Sequence, residues 1–90
     1  MKIKENFIVR NVAGENLVVP LAGSGVDFNS VITLNESGKF LWDILEKGSD
    51  YASLLGALVA EYGIDEATAK ADIDKFIASL KENKILEEEK

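Results

Sequence analysis

Residues 31–48, VITLNESGKFLWDILEKG, leave little freedom in how this chain can fold. They read as a strand that runs straight into a helix. The run at 31–34, β-branched at Val31, Ile32 and Thr33, suits a half-buried strand. Asn35 is placed to cap the helix, because its side-chain oxygen can accept from the N–H of Ser37 or Gly38. Phe40, Leu41, Ile44 and Leu45 recur at helical spacing and predict a buried stripe, with Trp42, the single tryptophan, beside it. Gly48 fits the left-handed position that ends many helices. The stretch before this segment predicts sheet, and the stretch after it predicts helix.

Upstream, residues 7–12 and 17–21 are short apolar runs around a turn at Gly14-Glu15, the pattern of a hairpin. Pro20 cannot donate to a ladder and belongs at an edge or a strand end. Residues 22–25, AGSG, predict a loop, and residues 26–34 contain a third strand. With period 2, Phe28, Ser30, Ile32 and Leu34 share one face, and Asn29, Val31 and Thr33 share the other. Downstream, Asp50 caps a second helix with Leu54, Leu55, Leu58, Val59 and Tyr62 as its stripe, ended by Gly63. Asp65 caps a third helix whose apolar face is Ile73, Phe76, Ile77 and Leu80, with Ala67, Ala69 and Ala71 allowing close approach in its first turns. Ile85-Leu86 predicts a short extended piece, and residues 87–90 a solvated tail. Strands followed by helices predict one α+β domain over residues 1–90, with helices packed on one face of an antiparallel sheet.

Composition excludes more than it suggests. There is no cysteine, so disulfides, thiolate metal sites and thiol nucleophiles are out. There is no histidine, which removes the commonest general base and metal ligand. Ten basic against sixteen acidic residues give a net charge of −6, a poor match for nucleic acid. The apolar runs are too short for a membrane span, and the N-terminal segment lacks the apolar core of a signal peptide. A cytoplasmic location is the default expectation.

Catalytic patterns fail residue by residue. Gly23-Ser24-Gly25 has Phe28 where a dinucleotide loop needs its third glycine. Gly38-Lys39 is followed by Phe40 where a phosphate loop needs Ser or Thr, and Thr33 stands where its first glycine should be. Asp72 and Asp74 lie two apart on a helix and point to different sides. Ser37 and Ser79 have no histidine to activate them. The expectation is a protein that is not an enzyme and carries no cofactor or metal.

Taken together, LVVPL at 17–21, DFNSVITLNESGKFLWDILEKG at 27–48, EYGID at 61–65 and DIDKFIASLKENKIL at 72–86 resemble the PqqD-like family, also described as the RiPP recognition element. RiPPs are ribosomally made peptides that enzymes later modify. The specific part is Leu34-Asn35, Ser37-Gly38, Trp42 and Gly48 at their present spacing. The resemblance implies a winged-helix-like domain, a three-stranded antiparallel sheet followed by a three-helix bundle. It also implies a binding role: such domains hold the leader segment of a precursor peptide for a modifying enzyme, often of the radical-SAM class. The leader adds as a further strand beside the third strand, in a cleft lined by the third helix.

On this reading the edge is Asn29, Ser30, Val31, Ile32 and Thr33, and the cleft wall is Asp72, Lys75, Phe76 and Ser79. An edge strand offers unpaired backbone groups to a peptide, at about 1 kcal/mol net for each hydrogen bond. Four or five such bonds are weak after ordering costs, so apolar pockets must supply the rest. Proline at Val31 is expected to abolish binding and spare the helices. Each residue also has a plainer role: Asn35 and Gly38 as cap and close contact, Trp42 and Phe76 as core. Lys70, Lys75, Lys81 and Lys84 interleave with acids on a solvated face. The rival functions are a winged-helix nucleic-acid binder and a general protein-interaction adapter. An open edge also permits pairing with a second copy of the chain.

Overall fold

A type I′ two-residue connection needs positive φ at both of its positions, and the hairpin has it: Ala13 at 52° and Gly14 at 84°. The computed structural model describes residues 1–4, 7–21 and 32–87. Within them the order is β1 (Lys2–Ile3), β2 (Phe7–Val12), β3 (Glu15–Pro20), β4 (Ile32–Leu34), α1 (Glu36–Glu46), α2 (Tyr51–Tyr62), α3 (Glu66–Glu82) and β5 (Leu86–Glu87). The fold is α+β, a three-stranded antiparallel sheet followed by three helices. Strands β2, β3 and β4 pair in that order, and β1 pairs separately with β5. The expected loop at 22–25, Phe28, Asn29, Ser30, Val31 and the tail at 88–90 lie outside the described residues.

Register fixes what β4 presents. The hairpin closes on Val12↔Glu15, so that pair exchanges the turn hydrogen bonds. Alternation along β3 then directs the backbone of Asn16 and Val18 toward β4. Their partners are Leu34 and Ile32. Thr33, opposite Leu17, is therefore the non-hydrogen-bonded pair, and its N–H and C=O point away from the sheet. The same alternation explains Pro20. It ends the central strand, with its missing donor on the β4 side beyond the last described pair, Val18↔Ile32.

The inner face of the sheet carries Phe7, Val18 and Leu34 into a core completed by the helices: Leu41, Trp42 and Leu45 from α1, Leu54 and Leu58 from α2, and Ala69, Ile73, Phe76, Ile77 and Leu80 from α3. Each helix starts on the expected cap. Asn35 accepts from Gly38 N at 2.8 Å, Asp50 from Ser53 N at 2.7 Å and Asp65 from Thr68 N at 3.3 Å. Gly48 and Gly63 follow α1 and α2 at φ of 90° and 62°. Among the described residues no helix is long and apolar enough to cross a membrane.

Several expectations need correction. The hairpin's return strand, β3, starts at Glu15 rather than Leu17, since the tight turn lets pairing begin at once. Trp42 is not beside the buried face but in it, 1% exposed, while Phe40 and Ile44 are only half-buried. Of the three alanines only Ala69 is buried; Ala67 and Ala71 face solvent. Residues 2–3 form a strand, and Glu87 belongs to its partner rather than to a tail. Ile3, Ile85 and Leu86 are buried in the core beneath that pairing.

Candidate functional site

A β4 edge is usable only if something beside it leaves room for a backbone and catches side chains. Between β4 with the start of α1 and the facing side of α3 lies a groove of about 260 Å³. Ile32, Thr33, Leu34, Asn35, Ser37, Gly38 and Leu41 line one side, and Asp72, Lys75, Phe76, Ser79 and Leu80 the other. The α3 residues recur at i, i+3, i+4, i+7 and i+8, which is one face of a helix. Leu34, Gly38, Leu41, Phe76 and Leu80 are buried and make an apolar floor; Thr33, Asn35 and Lys75 are exposed at the rim. Phe76 is both core and floor.

Local chemistry opens the groove. The Asn35 cap turns the chain abruptly from β4 into α1, and its oxygen also accepts from the Ser37 hydroxyl at 3.2 Å. Gly38 sits directly under that cap. A Cβ there would lie 3.0 Å from Asn35 Oδ1 and 3.5 Å from the Leu34 side chain. Its missing side chain lets strand and helix meet closely at the groove floor. Asp72 and Asp74 do diverge: Asp72 lines the groove, and Asp74 accepts from the Tyr51 hydroxyl at 2.8 Å. Lys70 pairs with Glu66 at 3.3 Å, both well exposed, as a solvated face requires.

The groove thus brings together Ile32, Thr33, Asp72, Lys75, Phe76 and Ser79 from the expected set, while Asn29, Ser30 and Val31 lie outside the described residues. Sequence reasoning missed Leu34, Asn35, Ser37, Gly38, Leu41 and Leu80 as lining. Leu80 had a signal, one turn beyond Phe76 on the same face. The others were already accounted for as cap and core, and core residues that also floor a groove carry no separate pattern. Among the described residues no group of Asp and Glu is placed to hold a metal ion. The groove offers an extended backbone donor and acceptor, an apolar floor, and one charge of each sign at the rim.

Two solved structures share this fold. TbiB1 in complex with the TbiA(beta) leader peptide aligns over 100% of this chain and 99% of its own, with TM-score 0.75 and 24% identity. Lasso peptide synthetase B1, complexed with the leader peptide, aligns over 93% of each chain, with TM-score 0.70 and 23% identity. At those identities the likeness is one of fold. No curated protein matches the sequence. The sequence itself matches the profile of coenzyme PQQ synthesis protein D, PqqD, over residues 16–86. That span takes in the hairpin's return strand, β4, all three helices and the start of β5, and the chain belongs to the PqqD family.

Proposed function

We propose that this protein is a non-catalytic peptide-binding adapter. It captures the leader segment of a ribosomally made precursor by strand addition to β4. It then presents that segment to a modifying enzyme, of which the radical-SAM class is the leading candidate. The reading places the protein in the cytoplasm, where the precursor is made. The observation that carries it is the outward-pointing backbone of Thr33 beside an apolar groove walled by α3. The two structures of the same fold are proteins held with leader peptides. With a net charge of −6, a nucleic-acid role has no comparable support.

The test is a nuclear magnetic resonance titration of the labelled protein with the leader region of a candidate precursor peptide, sought among short reading frames near its gene. Saturable shifts at residues 32–35 and 72–80 are the expected result. Shifts confined to other surfaces, or a salt-sensitive response to duplex DNA with none to the peptide, refute the reading.

A further inference from the structure

The groove does not stop at the end of β4. Asn35, Ser37 and Asp72 are shared with a second open hollow of about 300 Å³, which continues over the N-terminal end of α1. Its remaining lining is Glu36, Leu58, Tyr62 and Ile64. Leu58 is fully buried and Tyr62 and Ile64 half-buried, so the floor is apolar. Phe40 meets Tyr62 edge to face at 5.7 Å and fixes that ring. The charged groups that line the hollow are Glu36 and Asp72, both acidic. No cation stands within ion-pair distance of either among the described residues. The Tyr62 hydroxyl is held above its usual range by burial first, then by the negative charges of Glu36 and Glu61.

An apolar floor under an acidic rim suits a long side chain with a cationic tip. Its methylenes lie on Leu58, Ile64 and the Tyr62 ring, and its charge reaches Glu36 and Asp72. An acidic side chain meets like charge. A purely aliphatic one covers two carboxylates without pairing them.

We propose that this hollow is a subsite for a lysine or arginine of the same precursor segment, placed just beyond the residues that pair with β4. The inference rests on the strand-addition reading. The peptide that leaves the groove at the C-terminal end of β4 crosses Asn35 and Ser37 and delivers its basic residue there. For an antiparallel added strand that residue lies N-terminal to the paired segment; for a parallel one, C-terminal.

The experiment selects a phage-displayed library of random fifteen-residue peptides on the full chain. A protein of net charge −6 attracts cations everywhere, so the measure is not basic content but a Lys or Arg at fixed spacing from the paired segment. That segment is identified by its loss of binding to the Thr33→Pro protein. The expected result is such a fixed basic position, absent from peptides selected on Glu36→Lys. A selected peptide is expected to bind Glu36→Gln about fivefold more weakly at low salt, with the difference gone at about 1 M salt. Peptides that need the β4 edge but show no fixed basic position, or that keep it on Glu36→Lys, overturn the subsite and leave strand addition standing. A selection with no peptide sensitive to Thr33→Pro overturns both.

Discussion

Substituting proline for Thr33 separates the β4 edge from the fold that carries it. Thr33 lies opposite Leu17 in a non-hydrogen-bonded pair, so its N–H is not part of the β3–β4 ladder. Proline there removes an outward donor and no internal one, the situation in which edge strands tolerate it. The preceding residue, Ile32, is already extended, as a residue before proline prefers. The cost to the fold is the loss of a good strand former, about 1 kcal/mol, or roughly 4–8 °C in Tm for a domain of this size. The cost to the peptide is larger. One lost hydrogen bond is worth about 0.5–1.5 kcal/mol, which is roughly two- to tenfold in affinity. The proline ring also occupies the space that an incoming backbone needs, so neighbouring bonds fail with it, and a loss above about tenfold is expected. Circular dichroism melts report the fold, and fluorescence anisotropy with a labelled leader peptide reports binding. Thr33→Val keeps the N–H and is the control, with binding unchanged. A folded Thr33→Pro protein that binds within about twofold of the original refutes strand addition at β4.

Three further outcomes follow from the structure. Asn35→Ala removes the oxygen that accepts from both Gly38 N and the Ser37 hydroxyl; a loss of about 1 kcal/mol is expected in urea denaturation, with Asn35→Asp restoring it. Hydrogen bonds from the Ser53 N–H to Asp50, and from the Thr68 hydroxyl and N–H to Asp65, hold both carboxyls below their ordinary value of 3.8. A lowered folded pKa contributes stability that is present above the unfolded value and lost as pH falls through the folded one. Tm is therefore expected to drop below about pH 4, and Asp50→Asn with Asp65→Asn to flatten that drop while keeping both caps. Trp42 is 1% exposed and its indole N–H has no hydrogen-bond partner among the described residues. Trp42→Ala is expected to cost about 3–5 kcal/mol. Trp42→Phe should cost clearly less, because it also removes a buried unpaired donor; equal losses in the two denaturation curves contradict this.

Local chemistry was legible in the sequence, and distant pairing was not. Asn35, Asp50 and Asp65 were identifiable as caps because each satisfies an N–H three residues away, a relation written within one turn. The α3 face of Ile73, Phe76, Ile77 and Leu80 followed from period alone. The β1–β5 pair did not, because two-residue strands have no period and Ile3 meets Leu86 across nearly the whole chain. Trp42 and the alanines show the same limit. Spacing says which residues share a face, but which neighbour covers Ala69 and leaves Ala67 bare is a property of packing. The α3 side of the groove was legible through family resemblance. Its floor was not, since Leu34, Leu41 and Leu80 serve the core and the groove with one surface.

The β1–β5 clasp also sets an order of events in time. Lys2 faces Glu87, Lys4 donates to the Ile85 carbonyl at 2.9 Å, and Met1 and Ser49 exchange hydrogen bonds at 2.7 and 2.8 Å. Joining Ile3 to Leu86 closes a loop of more than eighty residues, an entropic cost of about 4 kcal/mol for a free chain. That cost falls away once the hairpin and helices have already brought the two ends together. The clasp is thus expected to form late in folding and to open early in the native state. Its amide protons should exchange by local opening, well ahead of those in α1 and α3.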